Sequence, residues 1–280
     1  MIWHNFIYFA AASLLLWIAG TALLYVKSQK TNSSVADSSE VQPLIIKSLK
    51  WIPEVVIVWG ILLFASFIYL LWMEQGYPPL RTIGETRLWY SLFIIITGFL
   101  TYRRWKYRWL MAYSTLVSSV FIAVNIFKPE IHHVNLMPAL QSGWFIPHVT
   151  VYIISYALMG AAAITAIAAL IRERAGLSAK DPLVLLTDNL VYTGFAFLMA
   201  GILMGALWAK EAWGDFWTWD PKEVWAFITA AVYILYIHCR VGGYKTGKVM
   251  WIVPVALLSL IITWLGVEYL PVARDSIHSY

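Results

Sequence analysis

The sequence has almost no cysteine and little charge. Its one cysteine, Cys239, excludes an internal disulfide, a CxxC redox pair and a metal cluster built on cysteine ligands. Only 12% of the 280 residues are charged, whereas 61% are hydrophobic and the mean hydropathy is +0.70. A soluble domain of this length could not cover its surface with so few polar side chains. The composition therefore predicts an integral membrane protein, with membrane lipid as its surroundings.

The apolar runs also lack the alternation that a membrane-spanning β-barrel requires, so the predicted fold is all-α. A helix needs about 20 apolar residues to cross a bilayer. Eight runs meet this length within a few residues: 3–26, 53–73, 88–102, 110–127, 149–171, 190–208, 224–239 and 250–269. The N-terminal residues lack the basic region and cleavage site of a signal peptide, so we expect the first run to be retained as a span.

The basic residues are unevenly distributed between alternate loops. Of the 20 lysines and arginines, 14 fall in the loops 27–52, 103–109, 172–189 and 240–249. Because basic loops stay in the cytoplasm, these loops should lie inside and both termini outside. The same rule accounts for the net charge of +5 without nucleic-acid binding. By motif we divide the chain into 1–75, two spans with a polar cytoplasmic loop, and 76–280, a six-span core.

The sequence WGDFWTWDPKEVW, Trp213–Trp225, connects the sixth and seventh spans on the predicted external side. We call it the tryptophan segment. Tryptophan concentrates at membrane interfaces in any case, and Asp220, Pro221 and Glu223 have the spacing of an N-cap, a first helical proline and a capping box. Those two explanations leave unexplained the flat aromatic area of Trp213, Phe216, Trp217, Trp219 and Trp225. That area favours a large flat ligand such as a porphyrin, a quinone headgroup or an aromatic lipid.

Three histidines are candidate iron ligands. His148 opens the fifth span and His278 follows the eighth, so both are predicted at the external face. Two imidazoles on opposite sides of a flat ring are what six-coordinate haem iron requires. His238 lies 18 residues beyond Asp220, which is about 27 Å along a helix and therefore near the cytoplasmic end of the seventh span. It is either a histidine among lipid headgroups or a ligand at a second site, whose opposite ligand another protein would supply.

The other histidines carry no predicted role. His132 and His133 are adjacent and so point apart, and we interpret both as solvated. His4 begins the first span and is interpreted as incidental.

These residues carry a resemblance to a known family. The tryptophan segment resembles the signature of haem-handling proteins of cytochrome c biogenesis, which include CcsA/ResC-type, CcmC-type and CcmF-type proteins. Its continuation WDPKE is similar to the CcsA/ResC-type branch. Four further stretches resemble that branch in the same order along the chain: 76–93, 136–157, 225–240 and 275–280.

The resemblance implies that the chain handles haem b. His148 and His278 match the two external axial ligands, and His238 matches the ligand of a transmembrane haem site. The residues that match the haem-binding loop are Trp213, Gly214, Trp217, Trp219, Asp220, Pro221 and Trp225. The implied partners are a CcsB/ResB-type membrane protein and an apocytochrome c bearing a CxxCH segment. The implied location is the bacterial cytoplasmic membrane, with the tryptophan segment facing the periplasm, rather than the chloroplast thylakoid.

The implied activity is that of a subunit of a holocytochrome c synthase. No residue has the setting of a nucleophile, so the expected contribution is positioning of haem beside a thiol. Three alternatives remain open: a haem transporter without a synthase role, a quinone-linked b-type electron carrier, and a scaffold with an aromatic anchor loop.

Overall fold

The computed structural model describes residues 2–34, 51–132, 140, 142–172 and 178–271. Within these ranges the secondary structure is helical and no β-strand occurs, as the apolar pattern predicts. The described residues include eight helices long and apolar enough to cross a membrane. The predicted all-α, multi-pass membrane fold is therefore confirmed. The side of the membrane on which each terminus lies stays a prediction.

The four helices of the N-terminal half are α1 (Phe6–Ser34), α2 (Ile52–Gln75), α3 (Ile83–Trp105) and α4 (Arg108–Phe127). Those of the C-terminal half are α5 (Phe145–Arg172), α6 (Pro182–Trp213), α7 (Pro221–Val241), α8 (Thr246–Met250) and α9 (Ile252–Ile261). A π-helical turn, Ile262–Gly266, extends α9, so that Thr246–Gly266 forms the eighth span.

Several helices begin earlier than the apolar runs predict. Helix α3 begins at Ile83, where Thr82 and Glu85 form a capping box, and α6 begins at Pro182 behind an Asp181 cap. Asp181 is in turn paired with Arg172 at 2.6 Å. Capping residues are polar by necessity, because they satisfy the free N–H groups of the first turn. Hydropathy alone therefore places these helix starts too late.

The chain divides into two compact units, Met1–His133 and Val134–Tyr280. In unit 1, α1 packs on α2 and α4, and α3 packs on α2 and α4, so each of the four helices contacts two neighbours. Trp17, Phe64 and Phe67 are fully buried at its centre. The division at residue 75 rests on sequence motifs rather than packing and stays a prediction.

The interpretation of His132 as solvated is wrong. Its imidazole stacks on the Trp3 indole, with ring centroids 3.6 Å apart and an interplanar angle of 12°. The ring also lies directly against Gly84 of α3, where a Cβ atom would collide with it. A 3₁₀ turn, Pro129–His132, carries it back onto the bundle, an arrangement that residue spacing does not reveal. His133 lies outside the described residues, and His4 is exposed.

In unit 2, α5 packs on α6 and α9, and α7 packs on α6 and α9, which repeats the two-neighbour arrangement. The last span is interrupted at Trp251 because Pro254 has no N–H to donate to the carbonyl of Met250. Between α6 and α7, Arg240 forms a bidentate pair with Asp188 at 2.6 and 2.8 Å. The Tyr236 hydroxyl donates to the same carboxylate at 2.6 Å. This buried network holds the C-terminal end of α7 against the first turns of α6.

Candidate haem-handling site

His148 lies in the first turns of α5 and is oriented by α6. Its Nδ1 is 2.8 Å from the carbonyl oxygen of Gly201. Because a carbonyl oxygen can only accept, Nδ1 carries the proton and the lone pair of the neutral imidazole is on Nε2. Hydrogen bonding of one ring nitrogen to a carbonyl is the usual way in which a protein fixes the tautomer and orientation of a metal-binding histidine.

Two glycines of α6 make room for this imidazole. A Cβ atom on Gly205 would lie 2.6 Å from His148 Cε1 and 2.8 Å from Nδ1. A Cβ atom on Gly201 would lie 3.1 Å from the ring of Tyr152, one turn further along α5. The pair is a small-xxx-small pattern, which lets two membrane helices approach closely. Here the close approach brings the imidazole within reach of the Gly201 carbonyl.

Two aromatic rings contact the imidazole of His148. The Trp208 ring stacks on the imidazole, with centroids 5.4 Å apart and an interplanar angle of 27°. The Tyr152 ring meets the imidazole edge-on, with centroids 4.6 Å apart. The Trp208 ring also contacts the rings of Phe145 and Trp213, with centroids 5.3 Å and 4.8 Å away. Through Trp208, the structure therefore connects His148 to the first residue of the tryptophan segment.

A second set of ring contacts connects His148 to the end of the last span. The ring centroids of Tyr152 and Tyr156 lie 5.5 Å apart, and those of Tyr156 and Trp264, in the π-helical turn, lie 5.4 Å apart. The same face of α5 therefore contacts the span that precedes His278. His278 itself lies outside the described residues.

A polar contact fixes the end of α6 to the start of α5. The Ser142 hydroxyl donates to Glu211 at 2.7 Å and accepts from the backbone N–H of Trp144 at 3.1 Å. The two helix ends beside His148 are thus joined both by packing and by hydrogen bonds.

The tryptophan segment begins where α6 ends. Gly214 has φ = +93°, a left-handed conformation that glycine adopts without strain and that ends the helix. Asp220 then caps α7, Pro221 occupies its first turn and Glu223 completes the capping box. The local explanation for these three residues is confirmed, so part of the motif is required simply to start α7.

Glu223 does more than complete the capping box. Its Oε2 accepts from the backbone N–H of Thr218 at 2.8 Å and of Asp220 at 3.1 Å, and from the Thr218 hydroxyl at 3.3 Å. These bonds enclose Trp219, whose φ of +61° is an unfavourable conformation for a bulky side chain. The carboxylate therefore holds a strained turn that directs Trp219 outward.

The tryptophans of the segment differ in exposure. Trp219 is 68% exposed and Phe216 is 54% exposed, whereas Trp213, Trp217 and Trp225 are half-buried. The ring centroids of Trp217 and Trp219 lie 5.9 Å apart in an edge-on contact, and the buried Nε1–H of Trp217 has no hydrogen-bond acceptor among the described residues. Buried indole N–H groups normally find an acceptor, so this donor is an exception.

His238 is exposed near the other end of α7. Helix α7 runs unbroken from Pro221 to Val241, so His238 is about 27 Å along the helix from Asp220. The structure thus places His148 and Trp213 in one ring cluster and keeps His238 away from the tryptophan segment. His238 and the tryptophan segment therefore lie at opposite ends of one helix.

The chain is similar in sequence to known proteins along most of its length. The family described as cytochrome C assembly protein matches residues 13–273. The chain belongs to the cytochrome c assembly family. A cytochrome c biogenesis protein CcsA from Chlamydomonas reinhardtii is 33% identical over 243 residues, which cover 82% of this chain and 68% of the relative. A CcsA protein from Synechococcus sp. (strain CC9605) is 29% identical over 255 residues, covering 78% and 83% of the two chains. Family membership supports a role in cytochrome c biogenesis and the handling of haem in general terms.

Sequence reasoning missed three residues that hold His148 in this member of the cytochrome c assembly family. Gly201, Gly205 and Trp208 do not belong to the tryptophan segment, and each contacts the imidazole or accepts a hydrogen bond from it. The GxxxG spacing of the two glycines within an apolar span was the available signal. Nothing in the sequence indicates that this pattern faces His148.

Proposed function

We propose that the chain holds haem b beside His148 and the tryptophan segment and presents it to apocytochrome c. The observation that carries this proposal is the setting of His148. The Gly201 carbonyl holds its Nδ1–H, which makes Nε2 the more basic nitrogen and gives the ring a fixed direction. An imidazole in this state fits an axial ligand of haem iron.

His278 is proposed as the second axial ligand. The ring contacts from His148 to Trp264 bring the end of the last span to the face of α5 that carries His148. The segment bearing His278 follows that span. Two imidazoles would occupy both axial positions and so keep the iron from reacting with other ligands.

The tryptophan segment would hold the macrocycle. Exposed Trp219 and Phe216 offer flat apolar surface, and half-buried Trp213 and Trp225 flank the turn. The Nε1–H of Trp217 would donate to a haem propionate, which would give that buried donor an acceptor. Gly214, Asp220 and Pro221 act indirectly, because they end α6 and start α7 and thereby set the shape of the turn.

A second haem position at His238 is proposed at the other end of α7. A lone propionate-bearing haem crosses hydrocarbon only at high cost, and ligands near both membrane faces reduce that cost. His238 is exposed on unit 2, so a CcsB/ResB-type partner could supply the opposite ligand. In this scheme haem is taken up at His238 and delivered to the site at His148.

The reaction at the outer site would be addition of a thiol across a vinyl group. Each cysteine of the CxxCH segment forms one S–C bond, and its proton ends on the other vinyl carbon, so no electrons are gained or lost. The chain's own residues would contribute position and exclusion of water, because a vinyl group held beside the thiol lowers the entropic barrier. This assigns the chain to a holocytochrome c synthase of the bacterial cytoplasmic membrane.

The test is the absorption spectrum of the full-length protein purified with its partner, for wild type, His148→Ala and His278→Ala. We expect each variant to lose the part of the haem spectrum that comes from the site at His148 and to regain it with added imidazole, which replaces the missing ligand. His4→Ala is the matched control, since His4 is exposed in unit 1. Unchanged haem content in His148→Ala would overturn the assignment. Wild-type protein that carries haem but fails to attach it to a CxxCH peptide would instead indicate transport alone.

A further inference from the structure

The C-terminal end of α7 borders a cavity that the haem proposal leaves unused. Its volume is about 310 Å³, and it is lined by Cys239, Tyr244, Lys245, Lys248, Val249 and Ile252. This size is at the lower end of the range of small-molecule sites, which is about 300–1,000 Å³. The cavity lies in unit 2, at the turn between the seventh span and the eighth.

The lining residues combine positive charge with apolar surface. Lys245 and Lys248 are exposed, and no carboxylate among the described residues pairs with either. Nearby Arg240 differs, because Asp188 already binds its guanidinium in a bidentate pair. Val249 is buried and Ile252 is half-buried, so the inner wall of the cavity is apolar. A ligand that satisfies both features is anionic at one end and apolar at the other.

The location identifies the source of such a ligand. The spans Pro221–Val241 and Thr246–Gly266 meet at this turn, so the cavity lies at the depth at which membrane helices enter the headgroup layer. Basic pockets between membrane helices bind the phosphate groups of anionic lipids. We infer that the cavity binds an anionic phospholipid, with its phosphate between Lys245 and Lys248 and its chains along Val249 and Ile252. This inference is independent of the proposed haem function.

Cys239 provides a direct readout, since it lines the cavity and is the one cysteine in the sequence. The full-length protein is placed in nanodiscs of phosphatidylcholine alone, or of phosphatidylcholine with phosphatidylglycerol. The rate at which neutral N-ethylmaleimide labels Cys239 is then measured. We expect phosphatidylglycerol to slow the labelling of wild type, because bound lipid covers the thiol.

The lysine variants separate bound lipid from general surface charge. A basic residue near an anionic membrane contributes about 1 kcal/mol, so Lys245→Gln or Lys248→Gln should each weaken lipid binding about fivefold. The double variant should lose the protection of Cys239. Lys180→Gln is the matched control, since Lys180 is an exposed lysine of unit 2 outside the cavity, and it should label as wild type does. Equal slowing by phosphatidylglycerol in wild type and the double variant would overturn the inference.

A further condition tests the source of the anion. Inorganic phosphate added to nanodiscs of phosphatidylcholine should leave the labelling rate unchanged. Protection of Cys239 by inorganic phosphate to the same extent would show a site for free anions and would refute the assignment to lipid. Native mass spectrometry should also show phosphatidylglycerol retained by wild type and lost from the double variant, and equal retention in both would contradict the inference.

Discussion

Substitution of Gly205 by alanine tests how the imidazole of His148 is held. The added Cβ atom would lie 2.6 Å from His148 Cε1 and 2.8 Å from Nδ1. Favourable contacts between carbon atoms begin near 3.5 Å, so the ring would have to move by about 1 Å. It cannot move freely, because Gly201 accepts its hydrogen bond and the Trp208 ring covers one face.

The substitution should reduce haem binding and fold stability by similar free energies, but only haem binding should be largely lost, because a folded domain has about 5–15 kcal/mol of stability. Overpacking a helix contact costs about 1–3 kcal/mol, and the displaced Nδ1–H···O bond contributes about 0.5–1.5 kcal/mol to stability. A misplacement of 1 Å in a reacting or binding group can lower activity about 100-fold. Gly205→Ala should therefore remain folded yet lose most of its bis-histidine haem and its attachment of haem to a CxxCH peptide.

Two other glycines provide matched controls. Gly143→Ala adds a methyl group just before α5, where no atom of the described residues lies within 4 Å, and should leave haem content unchanged. Gly194→Ala crowds the same pair of helices without touching His148, because its Cβ atom would lie 3.1 Å from the sulfur of Met159. It should lower the melting temperature, though by less than Gly205→Ala, while retaining haem.

The measurements are the pyridine haemochrome content, the visible spectrum and the melting temperature of each purified variant. If folded Gly205→Ala binds as much haem as the wild type, α6 does not position His148. Equal haem loss in Gly194→Ala and Gly205→Ala would contradict that positioning as well, because the effect would then come from helix packing in general.

Three further predictions concern the ends of α7. Asp220→Ala should lower the free energy of unfolding by about 1 kcal/mol through loss of the N-cap, whereas Asp220→Asn should retain most of it, as measured by denaturation in detergent. Arg240→Gln should destabilise the protein by about 3–5 kcal/mol, because it leaves the Asp188 carboxylate buried without its partner. The double variant Arg240→Gln/Asp188→Asn should recover part of that loss, and an additive double variant would contradict the pairing. His238→Ala should reduce haem loading from the cytoplasmic side while externally added haem still gives the bis-histidine spectrum, and loss of both would show that the two sites are not separate.

The membrane class of this protein could be predicted from composition, because long apolar runs have no other stable arrangement in water or lipid. The number of spans and the function of Asp220, Pro221 and Glu223 as a helix start were also predictable, since both depend on neighbours along the chain. The separation of His238 from the tryptophan segment followed from the rise of an unbroken helix.

Other features depend on which helix faces which. The packing of the His132 ring requires Trp3 and Gly84, which are distant in sequence. The support of His148 by Gly201, Gly205 and Trp208 requires one rotational setting of α6 against α5. Hydropathy in a membrane helix does not specify that rotation, because lipid and the helix interior are both apolar.

The sequence by itself therefore determined the membrane-spanning helices, their caps and the spacing of candidate ligands, all of which are local properties of the chain. The tertiary structure alone decided which carbonyl holds His148, which rings surround it and which lysines share a cavity with Cys239. Those contacts arise from close packing between helices, where the absence of a single Cβ atom at Gly205 decides the position of an imidazole.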